Sequence, residues 1–128
     1  MTKKKKVLII EDEEPIAKAE ELILEEEFDV YVANDGEKGL KLANTLKPDL
    51  IILDLMLPKR GGYDISFHIR QNPELKDTKI LMVTAKNQKV DMEKGVMVGA
   101  DSYLTKPFEA DELLFIAKKL TNKLKTQQ

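Results

Sequence analysis

The sequence predicts an α/β fold in which a parallel sheet lies between two layers of helices, as a three-layer sandwich. Short apolar runs recur along the chain, and they lack the polar alternation of a strand with one face in water. Each run is followed by a longer stretch of helical character, so strands and helices alternate five times. Right-handed crossovers between successive strands would make the sheet parallel.

The predicted strands are short and rich in β-branched residues, so we expect buried strands with both faces covered. Four are clear and a fifth is weaker; they cover residues 7–10, 30–33, 50–53, 80–83 and 102–104. The five predicted helices cover residues 15–27, 36–46, 63–71, 89–98 and 110–124. Pro15 suits a first helical turn, Asp35 can cap the second helix, and Asn72-Pro73 would end the third.

Length and composition predict a single domain over residues 1–128, because 128 residues suffice for one buried core. The chain has no cysteine, which excludes disulfides, thiolate metal sites and cysteine nucleophiles. No apolar run approaches the length of a membrane span. The basic N-terminus leads into an apolar run too short for a signal peptide, so we expect a cytoplasmic protein that does not bind membranes.

The charge balance argues against nucleic-acid binding by this chain. The net charge is −2, and no dense basic face is evident. Lys3 to Lys6 form the most basic segment, and we expect them to be a solvated tail.

Polar residues follow the predicted strands wherever a ligand could bind. Glu11-Asp12 follow the first strand, Asp54 the third, Thr84-Ala85 the fourth, and Thr105-Lys106-Pro107 the fifth. Ligands of open α/β sheets bind beyond the carboxyl ends of the strands. These residues can therefore converge at one edge of the sheet.

Carboxylates gathered at that edge would repel one another, and a bound cation would offset the repulsion. Mg²⁺ fits, because it prefers oxygen ligands and leaves coordination positions open for phosphate. Lys106 adds a positive charge and Thr84 a neutral donor. Such a site can transfer a phosphoryl group to a carboxylate.

Four motifs together resemble the receiver domain of two-component response regulators, in the right order and over nearly the whole chain. They are Glu11-Asp12-Glu13, the segment 48–54, Val83-Thr84-Ala85 and the segment 99–108. The resemblance implies a flavodoxin-like α/β fold with a five-stranded parallel sheet in the order 2-1-3-4-5 and five helices. It also implies a phosphoacceptor signalling domain, which catalyses only its own phosphorylation and slow self-dephosphorylation.

The resemblance implies a role for each site residue. Asp54 would accept the phosphoryl group from a sensor histidine kinase or a phosphotransfer protein. The Mg²⁺ ligands would be Glu11, Asp12, Asp54 and the backbone carbonyl of Met56. Residue 11 is aspartate in many family members, so metal affinity here is expected to differ modestly.

Further roles follow for residues on the last two strands. Thr84, Ala85 and Lys106 would bind the phosphoryl group, and Tyr103 would change rotamer on activation. The bond before Pro107 would be the family's cis peptide. The Gly61-Gly62 pair suits a tight turn after the acceptor strand, where glycine can adopt positive φ.

An output surface is predicted from the last helix. Leu113, Ala117, Leu120 and Leu124 form one apolar stripe that should face the sheet, whereas Phe115 lies nearly opposite and should face solvent. The resemblance implies that helix 4, strand 5 and helix 5 signal to a downstream protein or to a second copy. Ser102 and Ile116 replace a usual acid and arginine, so a more apolar contact is expected.

The same residues argue against two other functions that an α/β fold of this kind can carry. A haloacid-dehalogenase-type phosphatase needs an acid two residues after its nucleophile, and Met56 stands there. A flavodoxin-like flavin binder needs a phosphate-binding loop after the first strand, where residues 11–14 are all acidic. A receiver-like module that is never phosphorylated remains an alternative, as does a domain cut from a longer regulator.

Overall fold

Strands and helices alternate along the chain in the computed structural model, which describes residues 4–85 and 91–122. The strands are β1 (Lys5–Ile10), β2 (Phe28–Ala33), β3 (Leu50–Asp54), β4 (Lys79–Ala85) and β5 (Ser102–Lys106). The helices are α1 (Glu14–Leu24), α2 (Gly36–Leu46), α3 (Gly62–Arg70), α4 (Met92–Met97) and α5 (Ala110–Leu120). A short 3-10 helix, Pro73–Leu75, precedes β4.

The strands form one parallel sheet in the order β2-β1-β3-β4-β5, which confirms the predicted fold. Asp54 at the end of β3 pairs with Val83, and Ala85 at the end of β4 pairs with Lys106. The registers therefore bring the carboxyl ends of β1, β3, β4 and β5 to one edge of the sheet, beside residue 54.

Two apolar cores lie on opposite faces of the sheet. Leu8 and Ile10 of β1 point into one core, which α2 and α3 cover, while Val7 and Ile9 point into the other, which α1 and α5 cover. Successive side chains of a strand point to opposite faces, so an uninterrupted apolar run supplies both cores at once.

The expectation that both faces of every strand are covered is wrong for β2. Tyr31 and Val32 are exposed to 37% and 38%, and Asp29 is exposed as well. The physical reason is position, because β2 is an edge strand and the helices cover the centre of the sheet more completely than its margins.

Local signals located most helix starts, and the helix ends differ by a few residues. Asp35 caps α2 through a hydrogen bond that its Oδ1 accepts from Lys38 N at 2.8 Å, as predicted. Helix α1 ends at Leu24 rather than at residue 27, and α5 ends at Leu120. Asn122 has a left-handed φ of 61°, which ends the helical path. The predicted helical residues 89, 90, 123 and 124 lie outside the described residues.

The predicted basic tail is partly incorporated into the sheet. Lys5 and Lys6 begin β1, and Lys5 Nζ donates to the backbone carbonyl of Thr121 at 2.7 Å. The backbone N–H of Lys6 donates to Asp49 Oδ2 at 2.8 Å. These contacts fix the start of β1, so the prediction of a solvated tail is wrong for these two lysines.

The turn between β3 and α3 needs glycine for close packing, and the prediction that Gly61 and Gly62 would adopt positive φ is wrong. Gly61 has φ −72°, and the left-handed residue in this turn is Lys59, with φ 71°. A Cβ added to Gly62 would lie 2.8 Å from both the Asp54 carbonyl oxygen and Leu55 Cα. The bare backbone of Gly62 therefore packs directly against the end of β3.

We expect Gly62→Ala to lower the free energy of unfolding by about 1–3 kcal/mol, because the added methyl group must displace backbone beside Asp54. Chemical denaturation measures the change. The matched control is Gly61→Ala, where the nearest atom to an added Cβ is 3.5 Å away and φ already suits alanine. Equal destabilisation by the two substitutions would contradict this account of the turn.

Candidate functional site

Three carboxylates meet at the carboxyl edge of the sheet. Glu11 and Asp12 are the first two residues after β1, and Asp54 is the last residue of β3. One carboxylate oxygen of each residue lies within 4.8 Å of those of the other two. Glu11 and Asp54 are buried, whereas Asp12 is exposed. The cluster, here called the acidic pocket, therefore has buried walls and one side open to solvent.

Lys106, the last residue of β5, supplies positive charge to the acidic pocket. Its Nζ donates to Glu11 Oε1 at 3.1 Å and lies 3.9 Å from Asp54 Oδ1. Burial acts to lower the pKa of Lys106, but the nearby carboxylates, led by Asp54 and Glu11, outweigh it and raise this pKa. Lys106 is therefore held as an ammonium.

Burial and the nearby Asp54 carboxylate both perturb the pKa of Glu11. Burial, and then the Asp54 carboxylate, raise the pKa of Glu11 to about 7, although the Glu13 backbone N–H and Lys106 oppose the shift. The Glu13 N–H donates to Glu11 Oε2 at 3.2 Å. A cation bound among these oxygens would remove the repulsion, so the carboxylates fit a hard divalent ion such as Mg²⁺.

Backbone and neighbouring strands orient Asp54. The backbone N–H of Met56 donates to Asp54 Oδ1 at 3.1 Å, and the Met56 side chain is exposed. Thr84 is buried on β4, one strand away, and Ala85 after it is exposed. The metal contact of the Met56 carbonyl and the phosphoryl contacts of Thr84 and Ala85 stay predictions.

The predicted switch residues Tyr103 and Phe115 lie on β5 and α5. Tyr103 packs towards α4, and a Cβ added to Gly95 would lie 2.7 Å from Tyr103 Cζ. Phe115 is 55% exposed on α5, while Leu113 and Ala117 are buried against the sheet; Leu124 lies outside the described residues. The Lys106–Pro107 peptide bond is cis.

A further acidic residue, Glu20 on α1, lies near this site and was missed from the sequence. It is 1% exposed, and burial, followed by the Glu11 carboxylate, raises its pKa to about 8, against the opposing effect of Lys106. Ala17, Glu20 and Leu24 form the buried face of α1. The helical spacing of residues 17, 20 and 24 would therefore have been enough to place Glu20 on the buried face of α1.

A comparison with protein families decides the classification. The family model for the response regulator receiver domain matches residues 7–118. The chain belongs to the response-regulator receiver family. It is thus a two-component receiver domain, a phosphoacceptor signalling domain rather than a conventional enzyme, with an acidic pocket typical of Mg²⁺-dependent aspartate phosphorylation.

Individual relatives agree with this classification. The alkaline phosphatase synthesis transcriptional regulatory protein PhoP of Bacillus subtilis is 46% identical over 110 residues, which cover 85% of the receiver chain and 45% of PhoP. The chain thus spans about half the length of this relative. A protein of Chloroflexus aurantiacus assigned as a response regulator is 35% identical, with TM-score 0.87 and coverage of 94% and 99% of the two chains.

A third relative bears on the metal. The receiver domain of sensor histidine kinase PA1611 from Pseudomonas aeruginosa is 27% identical, has TM-score 0.84, and covers 93% of this receiver and 98% of its own chain. That structure holds a magnesium ion in its active-site cleft.

A receiver domain also implies a histidine kinase partner. In the described part of the chain, no helix is long and apolar enough to cross a membrane.

We expect Glu20→Leu to stabilise the metal-free receiver by an amount that grows as pH rises from about 4.5 to about 8. Over this range folded Glu20 keeps a proton that the unfolded chain has released. The free energy of unfolding of the parent protein therefore falls as pH rises, by at most about 1.4 kcal/mol per pH unit for this group. Urea denaturation in EDTA from pH 4.5 to 8.5 measures the difference.

The control for this pH dependence is Glu21→Leu, because Glu21 lies next to Glu20 but is partly exposed and pairs with Lys18 at 3.7 Å. Its stability difference from the parent protein should stay nearly constant over the same range. Parallel curves for Glu20→Leu and the parent would show that burial does not perturb Glu20.

Proposed function

We propose that the receiver accepts a phosphoryl group on Asp54 from the phosphohistidine of a sensor histidine kinase or a phosphotransfer protein. The observation that carries the proposal is the acidic pocket, in which buried Asp54 lies beside Glu11, Asp12 and the Lys106 ammonium. A bound Mg²⁺ would supply positive charge between Asp54 and the phosphoryl oxygens. Its ligands would be carboxylates 11, 12 and 54 and the Met56 carbonyl.

The chain's own residues would then position the reacting groups. An Asp54 oxygen forms a bond to phosphorus while the N–P bond of the donor breaks, roughly in line. The Met56 N–H orients the Asp54 carboxylate by a hydrogen bond to Oδ1. The Lys106 ammonium lies close enough to Asp54 to neutralise the charge of a phosphoryl oxygen bound there. Thr84 would donate its hydroxyl, and the backbone at Ala85 would contact the transferred group.

The output surface in this proposal is the face formed by α4, β5 and α5. Phosphorylation would draw Thr84 towards the site and Tyr103 inward, which reshapes this face for a downstream protein or a second copy. Exposed apolar residues support an apolar contact, since α4 presents Met92, Val96 and Met97 and α5 presents Phe115. Ser102 and Ile116 contribute no charged pair.

The remaining proposals concern context. We propose a single receiver domain over residues 1–128 that acts in the cytoplasm and does not itself bind nucleic acid or membranes. Lys86, with Met56, would flank the water that hydrolyses the acyl phosphate; Lys86 lies outside the described residues. A receiver that is never phosphorylated is less favoured, because Asp54, Lys106 and the two other carboxylates are all in place.

We expect acetyl phosphate with Mg²⁺ to add one phosphoryl group to the receiver and none to Asp54→Asn, because the amide is a poor nucleophile. Intact-mass spectrometry measures the adduct, which hydroxylamine should remove as an acyl phosphate. EDTA should prevent labelling.

Asp12→Ala should bind Mg²⁺ more weakly, since it lacks one anionic ligand.

Asp101→Asn is the control for Asp54→Asn. Asp101 directly precedes β5, at the end opposite Lys106, and its carboxylate pairs with Arg70 at 2.9 Å. This variant should be labelled like the parent receiver. A stable phosphate on Asp54→Asn, or labelling that continues in EDTA, would refute the proposed reaction.

We expect Phe115→Ser to weaken self-association of the phosphorylated receiver, because an apolar side chain is lost from the output face while labelling of Asp54 continues. Sedimentation velocity before and after phosphorylation measures association. The matched control is Phe67→Ser, since Phe67 is also exposed, to 47%, but lies on α3. Association that is unchanged by Phe115→Ser, or reduced equally by both substitutions, would remove Phe115 from the output face.

A further inference from the structure

Glu20 is a buried acid to which the proposed reaction gives no role. Neither of its carboxylate oxygens has a hydrogen-bond partner among the described residues. Burying an ionised carboxylate is strongly unfavourable unless a cationic group pairs with it, so an unpaired buried carboxyl group tends to stay protonated. The pKa of Glu20, raised to about 8 chiefly by burial, indicates protonation at neutral pH in the metal-free receiver.

A cavity joins Glu20 to Lys106. It has a volume of about 540 Å³ and lies between α1 and the turn that follows β5. Ile16 and Ile23 of α1 and Phe108 after β5 supply apolar walls, while Glu20 and Lys106 are the charged residues among its described lining. Among the described residues that line this cavity, the cationic group is therefore the Lys106 ammonium.

Lys106 and a bound divalent cation would compete for the same carboxylates. Lys106 Nζ bonds to Glu11 at 3.1 Å and lies 3.9 Å from Asp54, two of the three carboxylates that would hold a metal. A divalent cation among those oxygens would compete for them and repel the ammonium. Lys106 then needs a second anionic partner that keeps it near the site.

We infer that Glu20 is a positioning residue for Lys106, which accepts the ammonium across the cavity when a divalent cation enters the acidic pocket. This inference rests on the proposed Mg²⁺ site. Pairing with Glu20, which would release its proton to solvent as the ammonium arrives, would keep Lys106 charged and close to an incoming phosphoryl group, while the Asp54 oxygens stay free to react. It would also give the buried carboxylate its missing partner.

A double-mutant cycle tests whether Glu20 acts through Lys106. Mg²⁺ dissociation constants are measured at pH 7 from amide chemical shifts of the full chain, for the parent, Glu20→Gln, Lys106→Met and the double variant. We expect Glu20→Gln to weaken Mg²⁺ binding about tenfold when Lys106 is present, the effect of one charge-assisted hydrogen bond. In the Lys106→Met background, the same substitution should have no effect.

The control is Glu21→Gln, which makes the same substitution at the neighbouring, partly exposed residue and should alter Mg²⁺ affinity by less than about twofold. An equal loss of affinity in both backgrounds would overturn the inference, because Glu20 would then act through its own charge. No loss in either background would overturn it as well. Glu20→Leu, which suits the apolar cavity, replaces Glu20→Gln if the amide variant does not give a folded amide spectrum.

A spectroscopic measurement reports on the lysine itself. With lysine labelled at Cε and the Lys106 signal assigned by its loss in Lys106→Met, Mg²⁺ should shift this signal in the parent and much less in Glu20→Gln. An identical shift in both proteins would contradict the pairing. If the parent binds no Mg²⁺, the proposed function fails; if it binds and the cycle shows no coupling, only this inference fails.

Discussion

Repulsion among the carboxylates of Glu11, Asp12 and Asp54 is the constraint on which the rest of the receiver depends. Parallel register brings their oxygens within 4.8 Å of one another, and two of the three residues are buried. Such a cluster persists because donors surround it: the Lys106 ammonium and the backbone N–H groups of residues 13 and 56. The sheet is rigid enough to hold these groups together, because its central strands are covered on both faces.

The same repulsion makes the edge of the sheet responsive to cations and phosphate. Burial and neighbouring charge raise the pKa of both Glu11 and Glu20. In the metal-free receiver, protonation of these two carboxyl groups therefore lowers the negative charge that a cation would otherwise neutralise. A ligand that binds the folded chain and not the unfolded chain stabilises the fold by mass action. Metal binding, proton release and stability should therefore be linked at this edge.

The sequence was most informative where a local signal and a tertiary constraint coincide. The fully apolar runs of β1 and β3 gave the central strands, and acids directly after them gave the candidate site. The exposed face of β2 was not predicted, because apolar composition does not distinguish an edge strand from a central one. Gly62 was recognised as a turn residue for the wrong reason, since its requirement is tertiary contact with the Asp54 backbone.

The missed residue of the site, Glu20, shows a different limit. An acid on a helix is usually exposed, and five of the eight residues 20–27 are glutamate, so one buried member does not stand out. Its position in the stripe with Ala17 and Leu24 was available from helical spacing. Its proximity to Lys106 was not, because that depends on how α1 packs against the turn after β5.

The packing of Tyr103 against Gly95 has a consequence for which residues can occupy position 95. The ring occupies space that exists because residue 95 has no side chain, since an added Cβ would lie 2.7 Å from Tyr103 Cζ. Burial of the ring favours this inward position. A larger residue at position 95 would have to displace the ring or separate α4 from β5, so this one helix position limits where the Tyr103 side chain can lie.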